Sequence, residues 1–126
     1  MKEVLIILGI IALVTTLGIY EQKYIDTNTS ELITTLNEVR SQVTEKKHSN
    51  AVKKINDVND KWNEIEGKLS ILIDHEHIDN VGESITILKT GLEANENGDI
   101  IKEIDKAIFL LKDIQDVNRL KWKNVF

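Results

Sequence analysis

Apolar residues follow two patterns along this chain. Val4 to Tyr20 (VLIILGIIALVTTLGIY) is a continuous run without a charged residue. From Ile25 onward, apolar positions instead recur in steps of three and four, which places them on one face of an α-helix. The first such face is Ile25, Thr29, Leu32, Leu36, Val39 and Val43. No breaker separates it from the uncharged run, so one long helix is expected to continue to about residue 45. The polar stretch Lys46-Lys47-His48-Ser49-Asn50 predicts a turn, with Ser49 and Asn50 as N-cap residues.

A second face, Ile55, Val58, Trp62, Ile65, Leu69 and Leu72, predicts a helix ending near Ile73, with Asp74 placed to cap the next one. The third face is Ile78, Val81, Ile85, Leu88 and Leu92. Asn95 to Asp99 reads as a turn, with Gly98 as the helix stop and Asp99 as the following N-cap. The fourth face is Ile100, Ile101, Ile104, Ala107, Ile108, Leu111, Ile114 and Val117. It is the widest, so this helix is expected to be the most buried. Four amphipathic segments joined by short turns predict an all-α chain. Residues 25–126 should form an antiparallel up-down-up-down four-helix bundle, entered from a transmembrane helix at residues 1–24.

The uncharged run decides where the bundle sits. Its 17 residues make about 26 Å of helix, slightly less than a hydrocarbon core of about 30 Å. Lys2 and Lys23, 21 residues apart, can extend their ammonium groups to the headgroups on either side. Tyr20 and Tyr24 fall where an aromatic belt forms. A cleaved signal peptide is one alternative, but its apolar region is usually only about 7–15 residues long. Here Thr16-Leu17-Gly18 is a poor cleavage site. A buried soluble helix is another alternative, and an uncleaved anchor is the expected reading. Lys2 and the α-amine outweigh Glu3, whereas Lys23 is outnumbered by Glu21, Asp26 and Glu31. This small bias places the amino terminus in the cytoplasm and the bundle outside.

Composition narrows the chemistry. The 126 residues hold 16 Lys and Arg against 21 Asp and Glu, a net charge of −5. Nucleic acid is therefore not an expected partner, since its phosphates need a basic face. The absence of cysteine excludes disulfides, thiolate metal sites and a Cys nucleophile. With no proline, nothing kinks a helix by that route. Phosphate-binding glycine loops, a G-x-S-x-G elbow and an H-E-x-x-H pair are all missing. No enzyme activity and no cofactor are expected.

One cluster, Asp74-His75-Glu76-His77-Ile78-Asp79, has metal-ligand residue types. On a helix His75 and His77 point about 200° apart, whereas His75 and Asp79 at i, i+4 lie within about 40° and could share an ion. The structural alternative, which we favour, has Asp74 as a helix cap and Glu76 and Asp79 beside the positive helix end. Nine acids against two lysines between Asp74 and Asp105 form a solvated acidic face that could also attract cations or a basic partner. Trp62 lies on the core register and reads as packing, while His48 reads as solvated. Trp122, Val125 and Phe126 form an apolar carboxyl-terminal tail. It either folds back on the bundle or docks on a partner or bilayer, and is the candidate interaction site.

Several features together resemble a known family. They are the hydrophobic first helix, the Trp in the second, and Leu69-Ser70-Ile71-Leu72-Ile73-Asp74-His75-Glu76-His77-Ile78-Asp79. Leu110-Leu111-Lys112-Asp113-Ile114 and the ending Asn124-Val125-Phe126 extend the similarity over essentially the whole chain. The chain resembles the small clostridial-type helical proteins of the domain-of-unknown-function family numbered forty-three sixty-three. After Asp-His-Glu that family tends to carry an acid, where this chain has His77. The resemblance implies a bacterial, membrane-anchored helical protein and supplies no activity. The expected function is an uncharacterised single-span accessory or protein-interaction module. Its partners would be the membrane and either an integral membrane protein or a second copy. The alternative is a small-ligand or metal-sensing domain outside the membrane.

Overall fold

The computed structural model describes residues 1–96 and 98–125, the side chain of Val125 excepted. It contains four helices: α1 (Lys2–Thr44), α2 (His48–Leu72), α3 (His75–Glu93) and α4 (Ile100–Val125). At 43 residues, α1 is about 65 Å long. No proline or π-bulge interrupts it, so one hydrogen-bond ladder runs through two different environments.

Within residues 1–20 only Gly18 is buried, and the side chains from Val4 to Tyr20 stand largely exposed. This half of α1 is long and apolar enough to cross a membrane. The other half turns Ile25, Leu32, Leu36 and Val39 fully inward. Tyr20 lies only five positions, about 7.5 Å of helix, before the first of these core residues, Ile25.

The helices pack as a closed square. α1 lies on α2, α2 on α3, α3 on α4, and α4 returns to α1, with no diagonal pair in contact among the described residues. All neighbours run antiparallel. Lys54–Glu38 and Lys61–Glu31 pair α2 with α1 in opposite directions. Arg40–Asp105 and the Gln115–Thr29 bond do the same for α4 and α1. The hydrogen bond and nearby charge of Glu38 raise the pKa of Lys54.

The expected core positions are largely the observed ones. Trp62, Ile65 and Leu69 from α2 meet Ile78, Val81, Ile85 and Leu88 from α3 and Ile104, Leu111 and Ile114 from α4. The wide apolar face of α4 is the exception. Ile101 is 38% exposed and Val117 only half-buried, so not every position of its stripe is buried. A helix at the corner of a square buries one stripe, and a broader face spills into solvent.

Two helix ends differ from expectation. Ser49 and Asn50 do not cap α2, because the helix already begins at His48, with Lys47 at the cap position and no side-chain cap bond. The α1 terminus closes instead through Lys46 at φ 60°, with Lys46 N–H donating to Val43 O and Lys47 N–H to Gln42 O. The end of α3 repeats this arrangement. Asn95 at φ 57° donates to Leu92 O, and Glu96 N–H donates to Gly91 O. Both are Schellman closures. Asn95, whose short polar side chain tolerates the left-handed region, therefore stops α3 rather than Gly98.

Candidate functional site

Antiparallel order brings three segments level with the end of the uncharged run. These are the last turn of α2, the Ile73-Asp74 corner, and the last turns of α4. The Lys68 Nζ stands 5.2 Å from the Tyr20 ring centroid and 4.1 Å from that of Tyr24, within cation–π range. Lys121 donates to the Leu72 carbonyl at 3.3 Å, tying α4 to the end of α2. Its Nζ lies 5.8 Å from the Trp122 ring. We call this end of the bundle the base.

The expected carboxyl-terminal site falls here. Trp122 is half-buried and its indole N–H donates to Asn118 Oδ1 at 3.1 Å. α4 remains helical through Val125, so Trp122 lies on its final turns rather than on a separate tail. The Val125 side chain and Phe126 lie outside the described residues.

Just above the base is a polar layer that the apolar pattern concealed. Gln115 Nε2 donates to Thr29 Oγ1 at 2.8 Å and to Ser30 Oγ at 3.0 Å, while Thr29 itself donates to Ile25 O at 2.6 Å. Thr29 and Asn118 are buried, as is Gln115. Asn118 Nδ2 on α4 and Asp26 Oδ1 on α1 are buried without a hydrogen-bond partner. The signal was present in the spacing, since Leu111, Gln115 and Asn118 continue the steps of three and four.

The Asp74 corner is only partly the cap it was expected to be. Asp74 occupies the N-cap position of α3 at φ −56° and ψ 140°, yet its side chain makes no cap bond. Its backbone carbonyl accepts from His77 and Ile78 instead. His75 and Asp79 are both exposed. Among the described residues, no group of three or more His, Asp or Glu side chains gathers in metal-binding geometry. His77 turns away toward α4, its Nδ1 lying 3.2 Å from Asp113 Oδ2. Trp62 is a core residue, 2% exposed.

At the opposite, far end lies an open cleft of about 520 Å³ lined by Val43, Lys46, His48, Ala51, Leu92 and Asn95. It is formed by the two left-handed helix closures and the start of α2. His48 lines this open cleft and is exposed, as the solvated reading expects.

An antiparallel four-helix bundle extended by half of its first helix is the class this geometry defines. Residues 19–125 match the family described as Domain of unknown function (DUF4363), and the chain belongs to that family. The match begins almost where the uncharged run ends, so it covers the bundle. No curated protein and no solved structure matches the chain.

Proposed function

We propose that the chain is a single-span, membrane-anchored bundle that works without catalysis, as an interaction or accessory module for an integral membrane partner. The observation that carries this reading is the continuity of α1. One unbroken helix supplies an exposed apolar half and a core-forming half. An apolar surface of that extent, left uncovered, needs lipid or protein around it. The bundle interior is packed with side chains, so a macromolecular partner would meet its outer faces. The charge bias around the span supports an orientation with the bundle outside the cytoplasm.

In vivo cross-linking followed by purification in mild detergent tests this reading. It predicts a fixed-ratio complex with another integral membrane protein or with a second copy. A chain recovered only at its own monomeric mass would contradict it.

A small-ligand-sensing domain is the second reading, favoured by the far-end cleft. Its metal-sensing form would use His75 and Asp79. Metal analysis of the purified full chain, with His75→Ala as control, separates that form from the interaction module.

A further inference from the structure

We propose that the base of the bundle is a lipid-docking surface, seated within the phospholipid headgroup layer instead of held above it on a stalk. This inference rests on the reading that Val4 to Tyr20 spans the bilayer.

The first argument is distance. The polar layer on each side of a bilayer is about 5–8 Å thick, the difference between total and hydrocarbon thickness shared between two faces. That is roughly four residues of helix, or Tyr20 to Tyr24. Whatever packs level with these residues lies in the headgroups. Lys68 is level with both tyrosines. Because α2 runs antiparallel to α1, residues after Lys68 lie still nearer the bilayer.

The second argument is the character of those residues. Ile71, nearly one turn beyond Lys68, is 83% exposed, the most exposed large apolar side chain among the described residues outside 1–20. Leu120, next to the Lys121 that holds the Leu72 carbonyl, is 59% exposed. In water these two positions gain nothing. At the acyl–headgroup boundary they bury apolar area, with ammonium groups of Lys68 and Lys121 beside lipid phosphates. Tyr20, Tyr24 and Trp122 supply amphipathic rings at the same level, the composition of an interfacial belt. Asp74 and Glu76 at the adjoining corner limit how deeply this surface can sink.

Site-directed spin labelling of the full chain tests the proposal, and the absence of cysteine makes each label unique. Three single variants, Ile11→Cys, Ile71→Cys and Asn50→Cys, would be labelled and reconstituted in phosphatidylcholine–phosphatidylglycerol vesicles. Collision with oxygen, which partitions into lipid, is compared with collision with a water-soluble nickel chelate. We expect the Ile11 label to see oxygen alone and the Asn50 label to see nickel freely. The Ile71 label should show nickel collisions reduced severalfold from those at Asn50, with raised oxygen collisions. An Ile71 label as nickel-accessible as Asn50, with Ile11 still in lipid, overturns the docking and leaves the span standing. Shielding of Ile71 from both reagents with dipolar broadening means that a second copy covers it, which also overturns lipid docking. A nickel-accessible Ile11 removes the span itself.

Discussion

Gln115 of α4 donates its side-chain amide to the hydroxyl of Thr29 on α1 across 2.8 Å, joining residues 86 apart in sequence. This bond ties the last helix to the first within the buried layer. Thr29 keeps its own bond to Ile25 O, so removing the glutamine strands no hydroxyl proton. Gln115→Leu removes its bonds to both Thr29 and Ser30 and should lower stability by about 1–3 kcal/mol, read by thermal unfolding. A loss near 4 kcal/mol would mean that the layer acts as a coupled network.

Trp62 and Ile104 test the core. Both are almost fully buried, so Trp62→Ala should cost about 3–5 kcal/mol and Ile104→Ala about 2–5. The Trp62 indole nitrogen has no hydrogen-bond partner. Trp62→Phe should therefore cost far less than Trp62→Ala, since only volume is lost. Denaturant midpoints of all three variants check the order.

Backbone positions give a contrasting set. A Cβ at Gly67 would meet nothing within 4 Å, whereas one at Gly82 would stand 3.3 Å from the Trp62 indole nitrogen. Gly67→Ala should stabilise by about 0.5–1 kcal/mol through helix propensity. At Gly82 the same gain is offset by displacing a packed indole. Lys46→Gly, which removes a side chain from a left-handed site, should also stabilise, by about 0.5–1 kcal/mol. Melting temperatures of the three variants give the comparison directly.

Asp74 makes no side-chain cap bond, which changes what its substitution does. Only its charge near the positive end of α3 remains, worth about 0.3–1 kcal/mol at a surface. Asp74→Ala and Asp74→Asn should thus lose similar small amounts, and high salt should shrink both losses. Added zinc should leave the wild-type melting temperature unchanged. A gain of several degrees that His75→Ala abolishes would make this corner a metal site.

The helices and most of the core were legible because steps of three and four map apolar residues to one face whatever surrounds them. Helix ends were less so. The closures at Lys46 and Asn95 are made by backbone bonds, which the capping side chains Ser49 and Asn50, two and three residues past the observed cap position Lys47, do not reveal. The polar layer escaped for a related reason. Gln115 and Asn118 occupy core steps, but a pattern of apolar letters passes over them and stops at Val117. The base surface depends on which residues of α2 and α4 come level with Tyr20 and Tyr24, a register between segments more than 40 residues apart that the antiparallel order alone does not fix.

Alkaline carbonate extraction of native membranes, followed with an antibody to the bundle, shows whether α1 is retained and spans the bilayer. If it does, the chain stays in the membrane pellet at its full-length mass. Recovery in the supernatant, whether shortened near Ile19 or intact, would contradict it.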